Sequence, residues 1–202
     1  MSLDDYQSQT KNLTPSNEEV KITVEVELPP PFVRTIKELI YWEYARLMTK
    51  AAGNGVKSYW GFTTANYKKL LSGSIKMTDL DHDNRKQINR EPHCEYCGKT
   101  KAEGAVLSQD HIIPMSKLRH EGADNIITSC RECNSSKGDR DVFDWYYNVR
   151  KETDIPKMVW SKYLKLALNF HTAFNTLNSN DLNGDGKLDV LDLGSIFKKY
   201  SR

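Results

Sequence analysis

The 202 residues predict an α+β fold in which a mainly helical chain surrounds one small hairpin-and-helix core. Three observations carry that expectation. Apolar residues recur at helical spacing in several separate segments. Short isoleucine runs lie between two closely spaced cysteine pairs. Near the C-terminus, an acidic, glycine-bearing stretch of twelve residues sits between two apolar clusters.

Length allows one medium domain, or one domain with a small appendage. Hydrophobic residues make up 38% and charged residues 28%, enough apolar mass to bury a core. The absence of a run of eighteen apolar residues excludes a helical membrane span. Met1-Ser2-Leu3-Asp4-Asp5 lacks the basic, then apolar, start of a secretory signal, so the expected setting is cytoplasmic. The net charge of +2 hides a segregation: residues 32–101 hold thirteen Lys or Arg against seven acids, whereas residues 1–31 are acidic. A basic stretch can neutralise phosphates, but a solvated helical face carries the same charges, so charge alone does not assign a function.

Residues 1–19 are polar and without period, as expected of a disordered tail. Ile22, Val24, Val26 and Leu28 alternate with polar residues, a strand pattern that Pro29-Pro30-Pro31 ends. Phe32, Ile36, Leu39, Ile40, Tyr44, Leu47 and Met48 then share one helical face, with Gly53 and Gly55 as stops. Thr63 or Thr64 is placed to cap a second helix through Tyr67, Leu70 and Leu71, followed by Gly73. Residues 79–93 read as a polar connector. Val142, Trp145, Tyr146 and Val149 suggest one further helix, and Ile155-Pro156 opens another that includes Val159, Tyr163, Leu166, Phe170 and Phe174.

Cys94-Glu95-Tyr96-Cys97 and Cys130-Arg131-Glu132-Cys133 are two C-x-x-C pairs. Two residues between cysteines let a tight turn aim both sulfurs at one ion, and two such turns complete a tetrahedral thiolate site for Zn²⁺. Gly98 supplies the permissive backbone that follows such a turn. Four sulfurs leave no open position for a substrate, so the expected role of zinc is structural. A redox pair explains two C-x-x-C units less well. His93 borders the first cysteine and is the alternative ligand.

Between the pairs run Asp110-His111-Ile112-Ile113-Pro114 and Asn125-Ile126-Ile127. The isoleucines suggest an antiparallel hairpin, and the second cysteine pair opens a helix with Asn134 in its first turn. Asp110, His111, Asn125 and Asn134 would then converge on one point. These residues, with Cys94-x-x-Cys97, Cys130-x-x-Cys133-Asn134 and Lys137-Gly138, resemble the H-N-H endonucleases over roughly residues 92–142. The chain departs from that pattern after Pro114, where Lys117-Leu118-Arg119-His120-Glu121-Gly122 replaces a Gly-Gly loop.

The resemblance implies a ββα-metal fold and a role for each matching residue. His111 is the general base that takes a proton from the attacking water, work suited to an imidazole. Asp110 and Asn134 ligate one Mg²⁺ or Mn²⁺ through hard oxygens. Asn125 holds the loop and orients His111. Arg131 and Lys137 are candidate phosphate contacts. The substrate would be DNA, expected to be double-stranded, the products a 5′-phosphate and a 3′-hydroxyl, and a homodimer would serve double-strand cleavage. Taken singly, an Asp-His pair is more often a surface turn and an Asn a cap; only their joint placement argues for an active site.

Asp181-Leu182-Asn183-Gly184-Asp185-Gly186-Lys187-Leu188-Asp189-Val190-Leu191-Asp192 carries oxygen side chains at loop positions 1, 3, 5, 9 and 12, with glycine at position 6. The stretch resembles an EF-hand, and more narrowly one dockerin-type repeat, because position 12 is Asp192 and not Glu. The expected Ca²⁺ ligands are Asp181, Asn183, Asp185, Asp189 and Asp192, with Lys187 through its carbonyl. Flanking apolar residues suggest a helix–loop–helix, and a metal-free acidic turn is the plainer alternative.

The domain organisation expected from all this is a tail over 1–19, a strand and helical region over 20–91 offering DNA contacts, an H-N-H core over 92–150, and C-terminal helices with the calcium loop over 151–202. A non-catalytic zinc-dependent nucleic-acid-binding module and a calcium-dependent interaction protein are the rival functions.

Overall fold

A computed structural model of the chain describes residues 26–53, 58–77, 91–152 and 154–200, with side chains through Phe197. The expected tail over 1–19 and most of the polar connector therefore lie outside the described residues. So does most of the expected N-terminal strand; its last residues, 26–28, carry no strand.

Helix α1 spans Ile36–Ala52. The Thr35 hydroxyl accepts from the Glu38 amide at its start, and Gly53 ends it with φ of 63°. Its buried side chains include the expected Ile36, Leu39, Ile40, Tyr44 and Leu47, but also Trp42 and Glu43. That wider burial follows from two partners, because α1 packs against both α2 (Tyr59–Leu71) and α5 (Lys157–Ala173). Helix α2 begins five residues earlier than a Thr63 cap implies. Ser58 caps it by accepting from the Gly61 amide, while Thr63 and Thr64 donate back to the carbonyls of Tyr59 and Trp60. The hydroxyls of Thr49 and Thr63, 2.8 Å apart, join α1 to α2.

Strands β1 (Leu107–His111) and β2 (Ile126–Cys130) form one antiparallel pair, with Leu107 opposite Cys130 and His111 opposite Ile126. The hairpin was expected, but its first strand lies upstream of the isoleucines. Ile112 and Ile113 sit in the bend that follows, fully buried. Helix α3 (Arg131–Lys137) leaves β2 directly, with the Cys130 side chain capping it, and completes a ββα unit. Helix α4 (Val142–Asp144) continues as a π-helical turn over Trp145–Arg150.

Helix α5 ties the ββα unit to the rest. Lys162 donates to the carbonyls of Ala123 and Ile126 at the end of the hairpin, at 3.0 and 2.7 Å. Beyond Ala173 the chain turns, with Asn175 at φ of 54° and the Thr176 amide bonded back to the His171 carbonyl. The helix therefore stops before the acidic loop. A 3-10 helix over Asp192–Tyr200 follows that loop. In place of the expected helix–loop–helix, α5 is followed by a turn, a loop and a 3-10 helix, the turn made where Asn175 takes a left-handed backbone.

One buried cluster runs from Val33 through Tyr44, Ile112, Trp145 and Tyr163 to Phe197, drawing on every described region. Among the described residues no helix is long and apolar enough to cross a membrane.

Candidate metal centre and nuclease site

The four cysteine sulfurs lie within 4.8 Å of one another, with Cys97 and Cys130 at 3.8 Å. Tetrahedral Zn–S bonds of about 2.3 Å place sulfurs about 3.8 Å apart, so the cluster has the size of a metal site. The first knuckle closes through the Gly98 amide on the Cys94 carbonyl, which requires the φ of 79° that Gly98 adopts. The Glu95 amide then bonds the Thr128 carbonyl, docking this knuckle onto β2. All four cysteines are free of disulfides. Burial, then the neighbouring sulfurs, pushes the Cys133 thiol well up, so thiolates gathered here need a cation between them. His93 is not in the cluster; it forms an isolated bridge with Thr100 beside it.

Asp110 is buried on β1. Its Oδ2 accepts from the Tyr96 hydroxyl at 2.7 Å and faces the Lys137 ammonium at 3.3 Å. Burial, then the Asp110 charge, raises the Tyr96 phenol well above its ordinary range, so it stays a proton donor. No partner engages Oδ1 among the described residues. His111 ends β1, and its Nε2 is enclosed without a hydrogen-bond partner. An unmet buried nitrogen costs about 1–3 kcal/mol, which a bound water or ligand would relieve.

Asn125 is fully buried and pins the loop on both sides. Its Oδ1 accepts from the Ile113 amide at 2.9 Å, and its Nδ2 donates to the carbonyls of Ile113 and His120 at 3.0 and 2.9 Å. Asn134 reaches β1 from α3, its Nδ2 lying 3.5 Å from the Gln109 carbonyl. Asn134 and Lys137 are three apart on α3 and so share the face turned to β1. Asp110 and His111 are neighbours at the end of β1 and Asn134 reaches the adjacent Gln109 carbonyl, but no hydrogen bond joins the His111 ring to either of the other two among the described residues.

Lys137 departs from its expected place at the substrate surface. Its side chain is entirely out of solvent, donating to the His111 carbonyl at 2.7 Å and pairing with Asp110 beneath the site. Arg131, the other expected phosphate contact, is exposed at the start of α3. Two participants gave no clear sequence signal. Tyr96 holds Asp110 from inside the first C-x-x-C turn. Arg150 stacks over Trp145 and Tyr146, and its Nη1 lies 3.7 Å from the Cys133 sulfur.

In the C-terminal loop, Asp181 accepts from the amides of Gly184 and Gly186, and Asp189 from that of Leu191. Asp192, buried at the base, accepts from Leu182, Asn183 and Asp189. Asn183 and Asp185 accept from the amides two residues on, at Asp185 and Lys187. The loop's carboxylates thus brace its own backbone, and of the His, Cys, Asp and Glu side chains among the described residues only the four cysteines bring three or more ligand atoms within 4.8 Å of one another.

Comparison with known proteins agrees with this geometry. Residues 94–140 match the model of the HNH endonuclease family. The matched segment runs from the first cysteine through both strands and α3, and with the four-cysteine cluster it fits a member of that family. An HNH segment points to a nuclease or nucleic-acid-binding role, with DNA as the substrate class and divalent metal in attendance. No curated protein and no solved structure matches the chain.

Proposed function

We propose that the chain is a metal-dependent endonuclease hydrolysing DNA phosphodiester bonds. The observation that supports this most is His111: an imidazole with an unmet Nε2, at the end of a strand where the Asp110 carboxylate and the Asn134 amide also lie. His111 takes the proton of the attacking water. Asp110, through Oδ1, and Asn134, through its amide oxygen, would hold one Mg²⁺ or Mn²⁺. That cation supplies charge neutralisation at the phosphate and the leaving 3′ oxygen. Tyr96 and Lys137 hold the Asp110 carboxylate in position; Asn125 keeps the loop after His111 in place. The products are a 5′-phosphate and a 3′-hydroxyl.

Zn²⁺ on Cys94, Cys97, Cys130 and Cys133 is a staple in this reading, and a reducing, cytoplasmic compartment keeps such thiolates intact. Arg131 would touch substrate phosphate. Cutting both strands of a duplex with one site requires a second copy. Ca²⁺ in the 181–192 loop is a clip for the C-terminal segment, and calorimetric titration of wild type against Asp181→Ala tests it: heat in the first and none in the second is the expected pair.

The nuclease is tested on supercoiled plasmid with Mg²⁺ or Mn²⁺. Nicking by wild type and its loss in His111→Ala support the enzyme. Binding without cutting in either metal would favour the non-catalytic module.

A further inference from the structure

Away from the ββα site, a cavity of about 490 Å³ opens beside α1, α4 and α5. Its size is that of small-ligand pockets, roughly 300–1,000 Å³. Aromatic rings of Tyr59, Tyr147 and Trp160 contribute to its walls. Glu43 is placed among them at 5% exposure. One of its oxygens accepts from Arg46 at 3.0 Å; the other has no partner among the described residues. A carboxylate on a cavity wall that accepts one hydrogen bond keeps acceptor capacity for a ligand.

Two cations stand with it, Arg46 and Lys50, and each is neutralised by a replaceable acid. Arg46 pairs with Glu27 at 2.5 Å, and Lys50 pairs with Asp154. Glu27 and Asp154 are both about three-quarters exposed. Exposed pairs of this kind contribute little, so an incoming phosphate can take their place, and the two acids can swing into water. Trp60 and Phe62 are exposed aromatics on the same helix α2 as Tyr59, Trp60 with its ring edge-on to Phe32 and Trp42.

We propose that this cavity takes one nucleotide of a single-stranded DNA segment. The base stacks among Tyr59, Tyr147 and Trp160, and its exocyclic amine donates to Glu43. Its phosphate replaces Glu27 and Asp154 on Arg46 and Lys50, and flanking bases stack on Trp60 and Phe62. Stacking of bases on protein rings above a cationic track is how single strands are held with little sequence preference. The carboxylate adds a preference for bases that bear an amine. Because the cavity is separate from His111, Asp110 and Asn134, this binding does not depend on cleavage.

The test uses the full chain without added divalent metal, and a short oligothymidine carrying one central 2-aminopurine as probe. Saturable quenching of the 2-aminopurine is expected, weakened about tenfold or more in Trp160→Leu, the range that loss of one stacked base produces, and weakened in Lys50→Glu, which turns a phosphate-binding cation into an anion. Lys50 is exposed, so its variant keeps the proposal testable if Trp160→Leu fails to fold. Strands carrying adenine or cytosine at the probe position should compete better than oligothymidine, and Glu43→Gln should remove that advantage. Deoxyadenosine monophosphate is the competitor that separates sources: weaker competition than the strand supports a chain-borne nucleotide. Tighter binding of the free nucleotide than of the strand, no quenching by wild type, or unchanged binding in Lys50→Glu would overturn the proposal.

Discussion

The Lys137 ammonium lies 2.7 Å from the carbonyl oxygen of His111 and 3.3 Å from Oδ2 of Asp110, wholly out of solvent. One cation therefore anchors the backbone of the expected base and the carboxylate of the expected metal ligand together. Burial pulls the Lys137 amine below its ordinary range, and the Asp110 charge works against that.

Lys137→Met tests this coupling. Removing one partner of a buried ion pair strands the other, at a cost of about 3–5 kcal/mol. Denaturant unfolding should report a loss of that order, and plasmid nicking should fall with it. Lys137→Arg, which cannot fit the same short reach, should recover little.

Asn125→Ala removes three hydrogen bonds, two of them buried and one partly so, each worth about 1 kcal/mol. Thermal melts should show a destabilisation of roughly 2–3 kcal/mol. Nicking measured well below the melting transition should still be impaired, because the loop after His111 loses its pin.

His171 makes stability depend on pH. It is buried on α5, its Nε2–H donating to the Leu193 carbonyl at 3.1 Å and its Nδ1 accepting from the Thr176 hydroxyl at 2.8 Å. Burial holds its pKa down at about 4, against an ordinary 6.5. The unfolded chain therefore binds a proton that the folded chain refuses. The stabilising contribution is fully present above about pH 6.5 and is lost as pH falls towards 4, on the order of 3 kcal/mol. Denaturation curves at pH 7 and pH 4.5 should diverge in wild type by more than in His171→Gln.

Gly194 meets the buried pair of Asp141 and Tyr163, whose hydroxyl donates to Asp141 at 3.0 Å. A β-carbon at Gly194 would lie 2.9 Å from Asp141 Oδ2 and 3.1 Å from the Tyr163 oxygen. Gly194→Ala should lower the melting temperature while leaving the zinc content unchanged. Zinc removal should act elsewhere: a chelator that strips the metal should release one zinc per chain, expose four titratable thiols and collapse the ββα unit.

Much of this was readable in the residues. The periodicity of Ile36, Leu39, Ile40 and Leu47 marked α1, and that of Val159, Tyr163 and Leu166 marked α5, because amphipathic burial leaves a period of 3.6. The paired cysteines marked the metal cluster because ligand geometry constrains their spacing. Strand β1 was misplaced, since Leu107-Ser108-Gln109-Asp110-His111 has no alternation; its pairing is dictated by β2 and the knuckles. The burial of Lys137 was equally hidden, because a lysine looks the same in sequence whether it meets phosphate or a carboxylate. Helix α2 began early because the cap is Ser58, where two threonines downstream offered a stronger apparent signal. The turn after Ala173 depends on Asn175 adopting a left-handed backbone, which no local pattern announced.

In the proposed reaction the imidazole of His111 performs the proton transfer. The decisive measurement is nicking by His111→Ala in Mg²⁺ or Mn²⁺, with and without added imidazole. A fall of about 10²–10⁴ in rate, partly restored by imidazole with the zinc still bound, is the predicted result. Cleavage by His111→Ala at the wild-type rate would contradict it.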